Sequence, residues 1–209
     1  MKRRTFLQLS TCGSLGISGC LGATRQETPQ SSTAERSRID EAFSLLVSVE
    51  SVADESSPGV LRIAIENTSS DDQTVWAAPT FPFSSFIAYE SGEGTGSDAH
   101  RIQLVPVDDS VYSVYGTAPE APEEPEFAVV PTDREGACWN ALNAAHVPDS
   151  LERYNIESGG VIARPYFVLS YTNDRSCVPT GEYTLSGLFF RGDAREERVD
   201  WSTRLRYPL

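Results

Sequence analysis

Thiols, imidazoles and paired carboxylates are the side chains here that could do covalent or metal chemistry, and their spacing limits which chemistry is open. The 209 residues hold four cysteines, two histidines and one methionine. Cys138 and Cys177 lie far from the N-terminus, and in an oxidising compartment a disulfide between them is the simplest pairing. The bridge would close a loop of about 40 residues and contribute roughly 4 kcal/mol in the chain-entropy treatment. Two free thiols or a reactive cysteine are the other readings. A nucleophilic cysteine needs a basic partner, and only His100 and His146 could serve. Neither sits in a catalytic motif, and His146 is placed to cap the end of a helix. Gly-x-Ser-x-Gly, His-Glu-x-x-His and Walker sequences are missing, so no catalytic residue is assigned. Asp71-Asp72 and Asp108-Asp109 could offer oxygens to Ca²⁺, but in so acidic a chain they read as solvated turns. A blue-copper site needs clustered Cys, His and usually Met. Cys177 is followed by Val178-Pro179-Thr180-Gly181 and the sole methionine is Met1, so no metal and no cofactor are assigned. Asn67-Thr68-Ser69 fits the N-glycosylation acceptor pattern, and equally a turn built on Asn67.

The first twenty residues carry the most specific pattern. Lys2-Arg3-Arg4-Thr5-Phe6-Leu7-Gln8 leads into a short apolar stretch interrupted by Gly13, Gly16 and Gly19. It resembles a twin-arginine export signal, with Arg3 and Arg4 as the pair and Phe6 and Leu7 at the apolar positions that follow. Lys2 stands where that family usually has Ser or Thr. The apolar region ends at Ile17 and is too short for a membrane span, which takes about 20 apolar residues. Ile17-Ser18-Gly19-Cys20 then resembles a lipobox: an aliphatic residue, two small ones and a cysteine whose thiol takes the lipid. The resemblance implies a lipoprotein anchored at Cys20 to the outer face of the cell membrane, with the membrane contacted through the covalent lipid.

Asp and Glu number 30 against 17 Lys plus Arg, for a net charge of −13. Lys2 is the sole lysine. Cleavage before Cys20 would remove three basic residues and no acid, leaving 14 basic against 30 acidic side chains. A carboxylate-rich, lysine-poor surface resembles proteins of salt-loving archaea, where acidic side chains hold water in concentrated salt. Such a field repels nucleic acid, and nucleic-acid binding is excluded as a function class.

The elements that must position these groups read as strands. Residues 1–19 form the signal, 20–41 a disordered tether poor in large apolar side chains, and 42–209 one folded domain. Phe43, Leu45, Val47 and Val49 alternate with mostly polar neighbours, as do Leu61, Ile63 and Ile65. The polar run Asn67 to Asp72 before Thr74-Val75-Trp76 predicts a β-hairpin. Further strands are predicted at Phe86 to Tyr89, Arg101 to Val105, Phe127 to Val130 and Tyr166 to Tyr171. The last two, around Tyr183 to Phe189 and Trp201 to Tyr207, are expected to pair. Cys138 to His146 has Trp139, Leu142 and Ala145 or His146 at helical spacing and predicts a short helical insertion. Ser91 to Ala99 and Gly116 to Glu126 read as loops, the second proline-rich and extended. Pro179-Thr180-Gly181-Glu182-Tyr183 resembles the entry to a late strand in immunoglobulin-like and fibronectin-like domains, which implies an all-β sandwich of that type.

The expected function is a non-catalytic module binding an envelope protein or polymer, with the proline-rich loop and the Trp139 insertion as candidate surfaces. The alternatives are an unfamiliar surface hydrolase, using Cys138, Cys177 or a carboxylate pair, and a solute-binding lipoprotein. The last is disfavoured because such proteins are usually two-lobed and alternate strands with helices.

Overall fold

A computed structural model describes residues 35–83, 87–91, 100–108, 113–114, 128–136, 138–146, 150–171, 177 and 181–207. All regular structure among them is β. The strands are β1 (Glu35–Arg38), β2 (Phe43–Ser51), β3 (Gly59–Asn67), β4 (Gln73–Ala77), β5 (Ile87–Glu90) and β6 (Arg101–Pro106). They continue with β7 (Ser113–Val114), β8 (Ala145–His146), β9 (Glu152–Ile156), β10 (Val161–Ser170), β11 (Gly181–Arg191) and β12 (Glu197–Tyr207). Ten form one antiparallel sheet in the order β1-β2-β3-β10-β6-β5-β11-β4-β9, with β12 on β11, while β7 and β8 make a separate pair.

Side-chain alternation places the core. Phe43, Leu45 and Val47 of β2, Leu61, Ile63 and Ile65 of β3, and Tyr183, Leu185 and Phe189 of β11 join one buried cluster with Val199, Trp201 and Leu205 of β12. Phe43 and Phe189 meet edge to face with ring centroids 5.2 Å apart. Five strand steps separate β2 from β11 in the sheet order, which laid flat would span roughly 24 Å. The contact therefore requires the sheet to fold over on itself, bringing its two arms' inner faces together in the manner of a sandwich. Arg191 of β11 reaches Asp40, in the turn after β1, at 3.4 Å, and so links the arms at the surface. Phe81 and Phe83 complete the core. Their loop is held by Tyr166, whose hydroxyl donates to Thr80 O at 2.6 Å and accepts from Phe83 N–H at 3.1 Å. Arg164 donates to Phe81 O and Pro79 O of the same loop.

β11 and β12 pair as expected, in unbroken register from Gly181↔Tyr207 to Arg191↔Glu197. Four other expectations are corrected. No helix occurs among the described residues, and Cys138 to His146 is irregular apart from bridges and β8. Trp139 and Ala141 are buried while Leu142 is 53 % exposed, so the residues at helical spacing do not share a face. Instead Ala141 N–H donates to Ser170 O and Ser170 N–H to Trp139 O, laying the segment along β10 beyond the reach of β3. The predicted hairpin after β3 is a crossover: β3 already has β2 and β10 beside it, so β4 pairs with β9 and β11. Residues 35–38 lie within the predicted tether yet form β1, in register with Ser44 to Val47. Residues 128–130 are not a strand, whereas β9 was not predicted.

Candidate functional site

The predicted site residues separate into three groups. Arg3, Arg4, Phe6, Leu7 and the stretch Ile17 to Cys20 lie outside the described residues, as does the proline-rich loop Gly116 to Glu126. Cys138 and Cys177 form a disulfide with Cα atoms 5.1 Å apart. It fastens the 128–146 insertion to the chain just beyond β10. Val129, Trp139 and Ala141 of the insertion cover Val105 of β6 and Leu169 of β10 in a second buried cluster. Trp139 Nε1–H donates to Asp54 O at 3.0 Å, and Arg134 pairs with Glu55, so the insertion also grips the β2–β3 turn. With both sulfurs bonded to each other, neither is a free nucleophile, which leaves a thiol hydrolase without its thiolate. His146 lies in β8 opposite Ser113, with no helix end for it to cap.

Asn67 is the turn former of its two readings. It is 0 % exposed, and its Nδ2 donates to Asp71 O, Ile156 O and Glu157 O at 2.8, 3.0 and 3.1 Å. Its Oδ1 accepts from Ser69 N–H and Oγ–H. The nitrogen that would carry a glycan is thus buried and committed, and the folded domain has no room for one there. Asp72 Oδ1 accepts from Ser158 N–H, tying the same crossover to the turn between β9 and β10. Among the described residues no three His, Cys, Asp or Glu side chains are grouped to hold a metal ion.

A different constellation appears on the outer face of β9, β4, β11 and β12. Register places Arg153 opposite Trp76, Trp76 opposite Phe190 and Phe190 opposite Arg198, one row across four strands. Their strand neighbours Val75, Ala77 and Phe189 point into the core, so this row faces outward. Arg195 stacks its guanidinium 4.4 Å over the Trp76 ring from the β11–β12 turn, where its own φ is +61°. Trp76 Nε1–H donates to Gly192 O, and Arg153 pairs with Asp193 at 2.8 Å, so the turn is clamped onto β4 and β9. Beside the row, Ser186, Gly187, Leu188, Arg198, Asp200, Trp201 and Ser202 line an open groove of about 540 Å³. Arg198 bonds Asp200 through Nε and Nη2 at 2.7–3.1 Å, and this hydrogen bonding raises the guanidinium pKa further. Residues 181–207 hold five arginines and five acids, so this hairpin is charge-balanced within a strongly acidic chain.

A family model described as a domain of unknown function, DUF8130, matches residues 1–110 of the 209. The chain belongs to the DUF8130 family. The DUF8130 match takes in the export-like segment and β1 to β6, and so includes Trp76 and the Asn67 crossover. The insertion, the disulfide and β9 to β12 lie beyond it. No curated protein and no solved structure matches this DUF8130 chain.

The outward row was not legible beforehand because its members come from four separate stretches of chain. Sequence signals existed only locally, as the alternation of Ser186, Leu188 and Phe190 against core residues. The cross-strand register that aligns them with Trp76 and Arg153 needs the fold.

Proposed function

We propose that this DUF8130 protein is an exported lipoprotein, held on the outer face of the cell membrane by a lipid on Cys20, which binds an envelope protein or polymer without catalysing a reaction. The observation that carries the reading is the N-terminal pattern: Arg3-Arg4 with Phe6-Leu7, then Ile17-Ser18-Gly19-Cys20. The described fold begins at Glu35, about fifteen residues after Cys20, so a tether between them reaches at most roughly 50 Å. A module so short-leashed works close to the membrane surface. The acidic, nearly lysine-free composition supports a salt-loving archaeal setting. The sandwich is read as immunoglobulin-like, on the resemblance of Pro179 to Tyr183 to a late-strand entry in that fold.

The face offered for binding is the outer side of β4, β9, β11 and β12, with Trp76, Phe190 and Leu188 among arginine–carboxylate pairs. Aromatic and arginine side chains supply most of the energy at binding surfaces, which is why this face is preferred to the acidic remainder. Co-sedimentation of the full-length, detergent-solubilised protein with isolated envelopes at native salt tests the reading. Saturable binding that weakens when Phe190 and Leu188 are both changed to Ser supports it. Binding that never saturates, or none, contradicts it.

A further inference from the structure

We propose that the groove across the outer face of β11 and β12 binds a neutral saccharide; this rests on the binding-module reading and names its ligand class. A sugar ring presents an apolar C–H face bordered by hydroxyls that both donate and accept. A matching site needs apolar side chains next to fixed donors and acceptors.

The register builds that combination from two adjacent strands. Ser186 pairs with Ser202, Leu188 with Asp200, and Phe190 with Arg198. One strand thus offers Ser, Leu and Phe in its outward row, and the other offers Ser, Asp and Arg. Successive outward residues are about 6.7 Å apart along each strand, so the apolar and polar rows run side by side for several sugar-sized contacts. Side chains of Arg198 and Asp200 remain 58 % and 62 % exposed while bonded to each other. Their pairing fixes both groups, yet leaves N–H donors and carboxylate lone pairs open to a ligand. The paired serines add hydroxyls that can act in either sense.

Charge selects the neutral class. Residues 181–207 are balanced at five arginines and five acids, whereas residues 20–180 carry nine arginines and 25 acids. A polyanion would meet the surrounding negative field and would have to displace Asp200 from Arg198; an uncharged ligand does neither. Trp76 stands beside Phe190 at the edge of the groove, while Trp201 is packed on the core side of Gly187, so Trp76 is the tryptophan placed to report occupancy.

The test is a tryptophan-fluorescence titration of the full-length protein in detergent and molar KCl. The probes are maltohexaose, cellohexaose, laminarihexaose and mannohexaose, with a galacturonate oligomer alongside. The expected result is a saturable change with at least one neutral hexaose. The Kd should rise at least tenfold in Asp200→Ala and in Leu188→Ala, each checked for native near-ultraviolet circular dichroism, and stay unchanged in Arg134→Ala. No saturable change with any neutral probe, a response to the galacturonate oligomer alone, or equal Kd values in all variants would overturn the proposal. Envelope binding that persists in such a case leaves the binding-module reading standing and removes the saccharide; loss of both removes the reading itself.

Discussion

Asn67 shows how far a single side chain constrains this molecule. Its two amide N–H groups are shared among three carbonyls at the crossover between β3 and β4, from a position with no exposure. Asn67→Ala should therefore cost about 2–4 kcal/mol in chemical denaturation, since it strands buried acceptors. The peptide containing Asn67 from the native protein should have its unmodified mass, and a glycan there would contradict the fold. The sequon was visible in the sequence, but its burial was not, because burial depends on Ile156 and Glu157 arriving from about ninety residues away. Tyr166 makes a second residue-scale case. Burial raises its phenol pKa above the ordinary tyrosine value of about 10, outweighing the opposing effects of the Phe83 N–H bond and Arg164. The folded state then holds the proton more tightly than the unfolded one. Its stabilising effect is complete below about pH 10 and fades as pH climbs from there toward the native phenol's own pKa. Alkaline denaturation followed from pH 9 upward should show this loss, with a shallower slope in Tyr166→Phe. Equal slopes would show that another group governs the alkaline limb.

Among the elements, strands with clear alternation were legible: β2, β3, β11 and β12 each present one side-chain row to the main core, and period two in the sequence reports that directly. Partners were legible only for β11 and β12, which a short turn joins. The β3–β4 connection misled because local turn chemistry does not say which edge of a strand is already occupied. The insertion misled for a related reason. Trp139 and Leu142 sit three apart like residues on a helical face, but the backbone hydrogen bonds of 139–141 go to Ser170 of β10, and the disulfide fixes that docking. Replacing Cys138 and Cys177 together by Ala should lower stability by about 2–4 kcal/mol and shift Trp139 emission to longer wavelength as the insertion loosens from β6 and β10. An unchanged unfolding midpoint would mean that the insertion is held by packing alone. On the β11–β12 ladder, a Cβ at Gly187 would stand 2.6 Å from Trp201 Cζ2. Gly187→Val should accordingly cost about 1–3 kcal/mol through displacement of that indole.

At the scale of the whole molecule, thirty acidic against seventeen basic side chains make salt part of the folding balance. In the described residues most arginines are used in surface pairs with acids, such as Arg62 with Glu50 and Arg204 with Glu182, and these pairs offset only part of the repulsion. Raising KCl from about 0.1 M to about 1 M shortens the screening length from about 10 Å to about 3 Å and should raise the thermal midpoint. The central claim concerns where this acidic domain is held. Intact mass of the protein extracted from membranes, taken before and after reduction, tests it most directly. A chain beginning at Cys20 with a lipid-sized increment, and a gain of two protons on reduction for the Cys138–Cys177 bridge, is the predicted result. A chain without lipid, still carrying Met1 to Gly19, would contradict the proposed export and anchoring.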